Sequence, residues 1–315
     1  MNIYLLEIPM PGMLGSVNCY LIENDGRAVL VDTGMAAGGN LEVLETRLRA
    51  HGTCLDSLER VVCTHYHPDH CGQARHLQQR GIPVVVSSND ARALENYFAD
   101  AGVDERRSFF YGDHEVPESF HKYVVPAFGF LRSLIEPFTA DERCEDGDEI
   151  ELAGEIFQVL VTPGHTDGHI CLFHREKKIL FTGDQVLNDT SVNISLRRES
   201  VHAVPLDAYL SSLHRIAALD VRIAYSGHGE KIQDLAVRCA RLEKDQKTRL
   251  ARVSDALTDA PLSAMALSER AFGRKRRPFS QWLSIAQTIS CLEHLVSRRQ
   301  AISVHEGNKI RFSGV

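Results

Sequence analysis

Three histidines and an aspartate fall within six consecutive positions, His65-Tyr66-His67-Pro68-Asp69-His70. Imidazole nitrogens and carboxylate oxygens are the usual ligands of zinc and similar transition metals. His65 and His67 stand two apart, so an extended backbone points both rings the same way. Asp69 and His70 then enter a helix on a different face. Four such groups in six residues suit two adjacent ions better than one. A histidine-rich loop can also be chance, a surface patch or a tag remnant. With 15 histidines in 315 residues two neighbours would mean little, but this spacing behind a buried strand means more.

The elements around the cluster give it a setting. Arg60-Val61-Val62-Cys63 is short, apolar and β-branched, which reads as a buried strand end. Gln73 to Gly81 reads as a helix closed by glycine. The cluster therefore occupies a strand-to-helix loop, where α/β folds tend to place chemistry. The same arrangement recurs along the chain. His165 follows the strand 156–161, Asp184 follows 178–182, and His228 follows 221–225. Strand ends of a layered α/β fold can converge on one edge, which would gather His65, His67, Asp69, His70, His165, Asp184 and His228. Asp32 ends the strand Arg27 to Val31. It reads either as a turn or cap carboxylate or as one that orients ligands from behind.

With these motifs in view, the sequence resembles the metallo-β-lactamase-fold hydrolase superfamily. The resemblance rests on His65-Tyr66-His67-Pro68-Asp69-His70, Pro163-Gly164-His165-Thr166, Thr182-Gly183-Asp184, Ser226-Gly227-His228-Gly229 and the early Val31-Asp32-Thr33-Gly34. It covers roughly residues 3–232. It implies an αββα sandwich with the site at one edge of the sheets. It also implies two divalent ions, zinc first, with iron or manganese as alternatives. His65, His67 and His165 would hold one ion, Asp69, His70 and His228 the other, with Asp184 between them. The complete set of seven departs from the single-iron persulfide dioxygenases and from flavodiiron proteins. The long insert is unlike that of true β-lactamases. The Gly-His-Gly ending looks most like the glyoxalase II, lactonase and related thioesterase branch.

The order up to residue 87 reads β-β-β-α-β-α-β, an α/β layer pattern. Residues 88–140 read as an insert, helical in pieces (90–101 and 120–135) with no clear strand. Ten of the 22 aromatics fall there, from Tyr97 to Phe138. They either pack the insert onto the body or form a lid over an apolar pocket. His114 and His121, in the same insert, read as surface or packing histidines. The acidic stretch 141–149 reads as a solvated turn. The chain divides into a catalytic domain at 1–232 and a helical domain at 233–315. With three helices and a terminal hairpin, the helical domain resembles the winged-helix extension of some family members. The basic loop Arg274 to Arg277 reads as a solvated connection.

Composition bounds the function. Hydrophobic content of 43% with 24% charged residues is that of a soluble globular chain with ample core. A net charge of −7 disfavours a polyanion as partner. The eight cysteines have no Cys-x-x-Cys spacing and several sit in apolar runs, which suits a reducing compartment. No signal peptide or membrane span is legible, so the cytoplasm is expected. Two ions about 3.5–4 Å apart can share an activated hydroxide that attacks a carbonyl. The expected function is therefore hydrolysis of a thioester, ester or lactone. Asp69 is both ligand and proton relay, and Asn193 reaches the substrate from the 185–204 loop. The expected partner is a small-molecule acyl substrate, with no membrane and with a homodimer left open. Two alternatives stand beside it. One is a metal-dependent ribonuclease using the basic loop. The other is a non-enzymatic sensor whose tail binds nucleic acid or a partner.

Overall fold

The computed structural model describes all residues except 12–14, 100–111, 196–199 and 276, and the side chains of Glu118 and His121. Among the described residues the chain forms two facing mixed sheets. The first runs β1 (Asn2–Pro9), β2 (Ser16–Asn24), β3 (Arg27–Val31), β4 (Arg60–Val62), β5 (Val84–Ser87) and β6 (Glu142–Cys144), in spatial order. The second comprises β7 (Glu149–Leu152), β8 (Glu155–Val161), β9 (Ile170–His174), β10 (Ile179–Gly183) and β11 (Ile223–Ser226), also neighbours in sequence order. Strands β9 and β10 form a hairpin, pairing Ile179 with His174 and Phe181 with Leu172.

Alternation along the strands divides the core into layers. Tyr20, Ile22, Val29, Val31, Val62 and Val85 turn towards the second sheet, where they meet Phe157, Val159, Leu172 and Phe181. Leu21, Leu30, Val61, Val84 and Val86 turn the other way. They pack beneath α1 (Asn40–Arg49), α3 (Ala74–Gln78) and α4 (Ser88–Phe98). The outer face of the second sheet is covered by α6 (Pro205–Ala217), whose Leu206, Tyr209, Leu213 and Ile216 are buried. This is the αββα sandwich.

The C-terminal region contains α7 (Leu235–Ala256), α8 (Ala264–Phe272) and α9 (Pro278–Ser297). It ends in the hairpin β13 (Ile302–Glu306) and β14 (Lys309–Ser313). Leu242, Val253, Leu267, Ile285, Ile289 and Phe312 belong to the same continuous apolar cluster as Leu206 and Leu213 of α6. A short strand, β12 (Leu262–Ser263), joins the hairpin as a third member.

Local differences from the sequence reading have local causes. The single helix expected after the His/Asp cluster is broken into α2 (Pro68–Cys71) and α3. The His70 carbonyl, which would serve the next helical turn, instead accepts Thr33 N–H at 2.7 Å and Thr33 Oγ1–H at 3.0 Å. Residues 142–144, read as part of a turn from their charge, form the edge strand β6 with only Cys144 buried. Charged residues are common on edge strands because one side of the ladder faces water. In the insert, α5 (His121–Arg132) lies close to the expected helix. The aromatics there have mixed fates. Phe138 is buried, Phe128 packs edge-on against Trp282, and Tyr123 and Phe130 are exposed. Phe109, Phe110 and Tyr111 lie outside the described residues.

Candidate metal centre

The seven ligand-type residues converge at one edge of the sandwich, delivered by the ends of β4, β8, β10 and β11. His67 Nδ1 lies 3.0 Å from His65 Nε2 and 2.9 Å from His165 Nε2. On the other side, His228 Nε2 lies 3.3 Å from Asp69 Oδ2, and His70 Nε2 lies 3.8 Å from the same oxygen. Asp184 stands between the two sets. Its Oδ2 is 3.6 Å from His165 Nε2, while its Oδ1 is 3.4 Å from His70 Nε2 and 3.5 Å from His228 Nε2.

At His65, His70, His165 and His228 the outward nitrogen is held, which fixes the tautomer and turns the other nitrogen inward. His70 Nδ1 faces Asp32 Oδ2 at 2.8 Å. His165 Nδ1 meets the Asn193 carbonyl at 2.9 Å, and His228 Nδ1 meets the Ser16 carbonyl at 2.9 Å. His65 Nδ1 is 3.1 Å from Thr64 Oγ1, which itself donates to Asp32 Oδ2 at 2.9 Å. Asp32 Oδ1 also accepts Thr64 N–H at 2.7 Å. Asp32 thus sits behind both halves of the centre.

Burial and charge separate the halves. Burial, then the neighbouring rings, pushes the His65 pKa well below that of free imidazole and brings His67 to about 3. Burial also lowers His165. These three stay neutral, as ligation requires. In the other half burial opposes charge, yet Asp184, Asp32 and Asp69 raise His70 well above its ordinary value. His228 is raised by Asp184 and Asp69 against its own burial. Burial pushes Asp69 and Asp184 up, but His70 and His228 hold both below the usual carboxylate range.

The donor set fits divalent metal. His67 Nδ1 faces two ring nitrogens at once and a single ring proton can serve only one of them well, whereas a cation among the three would serve all. Tetrahedral ligands 2.0–2.1 Å from zinc are about 3.3 Å apart, near the separations seen here. His70 Nε2 and Asp184 Oδ1 are both buried, and neither finds a hydrogen-bond partner among the described residues. Buried polar atoms of this kind ordinarily have a partner.

Three positioning residues were not legible as such in the sequence. Asp90, fully buried on α4, accepts Tyr66 N–H at 3.1 Å and Thr166 Oγ1–H at 2.8 Å through Oδ2. Its Oδ1 accepts Gly168 N–H at 2.8 Å. It ties the His65/His67 loop to the His165 loop. Its local signal was Ser87-x-x-Asp90, a helix-capping spacing, which gives no hint of the second task. His169, just ahead of β9, accepts Asp184 N–H on Nε2 at 3.1 Å. Asn18 donates from Nδ2 to the Ser226 and Gly229 carbonyls at 3.0 and 2.8 Å, bracketing His228. Asn193 presents its carbonyl to His165, and its side-chain oxygen accepts from Ser195 Oγ and Gln287 Nε2.

His114 is buried and stacks on Phe312, while the His121 side chain lies outside the described residues. In the basic loop, Arg274 lies 3.8 Å from Glu269 and Lys275 Nζ donates to the Phe272 carbonyl at 2.9 Å; Arg276 lies outside the described residues. None of the eight cysteines is in a disulfide. No helix among the described residues is long and apolar enough to cross a membrane.

Comparison with known proteins supplies the family. Residues 12–228 match the family model of the metallo-beta-lactamase superfamily. A probable metallo-hydrolase of Bacillus subtilis is 27% identical over 99% of this chain and 97% of its own length. An atrochrysone carboxyl ACP thioesterase of Aspergillus fumigatus is 23% identical over 76% of this chain, which spans 58% of that protein. The crystal structure of a metallo-beta-lactamase family protein from Thermus thermophilus superposes with a TM-score of 0.84 at 29% identity, covering 99% of this chain and 98% of that one. With its motifs assembled at one sheet edge and the match spanning most of its length, the chain belongs to the metallo-β-lactamase superfamily and is a metallo-hydrolase of that family.

Proposed function

We propose that this chain is a binuclear, zinc-type hydrolase of thioesters, with esters and lactones as related substrates. The observation that carries the binuclear reading is Asp184, whose two oxygens face different ligand sets. Its carboxylate would fix the spacing of two ions, one held by His65, His67 and His165, the other by Asp69, His70 and His228. Such a pair supplies an activated water and a Lewis acid for the carbonyl oxygen. The chain's own groups do the rest. Asp32, Asn193 and Ser16 orient the rings. Asp69 keeps Oδ2 against His228. Asp69 is the carboxylate that would take the water's proton. As general acid and base, Asp69 would return that proton to the leaving group.

Thioesters lead because a named relative is a thioesterase. The Gly-His-Gly ending, similar to that of the glyoxalase II and lactonase branch, points the same way. The test is metal analysis of the purified chain followed by a panel of acyl thioesters, esters, lactones, β-lactams and RNA. Two ions per chain and fastest turnover on thioesters are expected. One ion with full activity would end the binuclear reading. RNA cleavage lost in His65→Ala, without thioester turnover, would replace the substrate class.

A further inference from the structure

The segment that leads from Asp184 to Asn193 is held from the C-terminal region at two points. Arg238, on the first turn of α7, donates Nε–H to the Leu187 carbonyl at 2.5 Å and Nη2–H to the Thr190 carbonyl at 2.6 Å. Gln287, midway along α9, donates Nε2–H to Asn193 Oδ1 at 2.9 Å. Ser195 Oγ donates to the same oxygen at 3.1 Å. Asn193 then presents its carbonyl to His165 Nδ1–H at 2.9 Å. Two hydrogen bonds and one residue therefore separate helix α9 from a ligand of the three-histidine set.

This arrangement matters because of what fixes an imidazole. A ligand histidine can still turn about its Cβ–Cγ bond, and the hydrogen bond at its outer nitrogen sets plane and tautomer. That bond is only as well placed as its acceptor. The acceptor here lies in a segment, 187–195, that belongs to no helix or strand. Its backbone is therefore not located by a ladder of its own. Its apolar side chains Leu187, Val192 and Ile194 are buried in the same cluster as Leu242 of α7 and Ile285 and Ile289 of α9. Residues 233–315 thus supply hydrogen bonds to this segment and share its apolar cluster.

We propose that Gln287 and Arg238 are positioning residues for His165, and that the C-terminal region is a structural part of the metal centre rather than an independent binding module. The proposal rests on the reading of His165 as a metal ligand.

The test uses the full-length chain, wild type and three variants: Gln287→Leu, Arg238→Met and Ser284→Ala. Ser284 is a control on the same helix, since its Oγ pairs with Ser268 Oγ at 3.0 Å within the C-terminal region. Each protein is equilibrated against graded zinc buffers. Bound metal, the absorption spectrum of the cobalt(II) form and the thermal transition of the metal-free form are recorded. Gln287→Leu and Arg238→Met should each weaken one of the two ions about 10-fold or more, as for other residues that orient ligands. They should alter the cobalt spectrum and leave the other ion's affinity unchanged. Ser284→Ala should leave both affinities and the spectrum as in the wild type. Wild-type affinities and spectra in folded Gln287→Leu and Arg238→Met overturn the proposal. An equal loss in Ser284→Ala does the same, because it would show general loosening of the helix. If Gln287→Leu does not fold, Arg238→Met decides alone. A wild-type chain that binds no metal would remove the reading of His165 as well, which separates that failure from this one.

Discussion

Asp32 Oδ2 lies 2.8 Å from His70 Nδ1, with both side chains buried, and the same carboxylate accepts the backbone and hydroxyl protons of Thr64. One carboxylate therefore serves both halves of the centre, His70 directly and His65 through Thr64. All the groups facing it are donors. Asp32→Asn must set its own N–H₂ against one of them. It would either oppose Thr64 N–H or push the His70 proton onto the nitrogen that faces the metal. Metal affinity and turnover should fall about 10- to 100-fold. Metal analysis beside steady-state kinetics checks this, and an unchanged metal content would contradict it.

Gly227 offers a test of space rather than charge. A Cβ there would come within 2.4 Å of Asp184 Oδ1 and 2.8 Å of His70 Cε1. Gly227→Ala should displace the Asp184 carboxylate while leaving the two sheets intact. Displacements of about 1 Å near a reacting centre can cost on the order of 100-fold in rate. The expected outcome is a native circular dichroism spectrum, altered metal binding and a rate loss of that order.

Asp90 joins two ligand loops through Tyr66 N–H, Thr166 Oγ1–H and Gly168 N–H. Asp90→Asn retains one acceptor oxygen, so a donor would face either Gly168 N–H or Tyr66 N–H. Leaving such a buried group unpaired costs about 1–3 kcal/mol. Denaturation of the metal-free chain should show a loss of this size. Turnover should fall as well, because the His65/His67 and His165 loops lose their common anchor. A stability loss without any kinetic effect would show that the loops are held adequately by other contacts.

Glu115 provides a pH test away from the metal ligands. It accepts Arg311 Nε–H at 2.8 Å and Nη2–H at 3.1 Å, with Lys309 Nζ at 3.2 Å. These cations, Arg311 foremost, lower its pKa from the ordinary 4.5 to about 2. A depressed carboxylate contributes stability above its unfolded pKa and loses it as pH falls through the folded value. Glu115→Gln should therefore be less stable than wild type at pH 7, by about 1 kcal/mol or less after solvent screening. The difference should shrink between about pH 4.5 and pH 2. Paired thermal melts across that range check it, since the metal site protonates in both proteins and cancels.

The sequence by itself determined the chemistry and the layer order. His65, His67, Asp69, His70, His165, Asp184 and His228 each follow an apolar run, and strand-end delivery is a local property of such runs. The apolar runs at 18–22 and 28–31 are likewise local, so the strands of the first sheet were legible, whereas which face each residue takes was decided by the packed layers. The capping spacing at Ser87 and Asp90 was local too, but it concealed a second role.

Tertiary structure decided which backbone and side-chain groups aim the ligands. Ser16 reaches His228 across 212 positions and Gln287 reaches Asn193 across 94. A carbonyl acceptor carries no residue signature, since every residue has one. The break between α2 and α3 had the same origin, because the His70 carbonyl was claimed by Thr33 from another strand end. Edge strand β6 depended on a free ladder beside β5, which its own charged sequence did not reveal. Ligand identity is written in residue type, whereas ligand orientation is written in contacts that exist only once the two sheets and the C-terminal helices have packed.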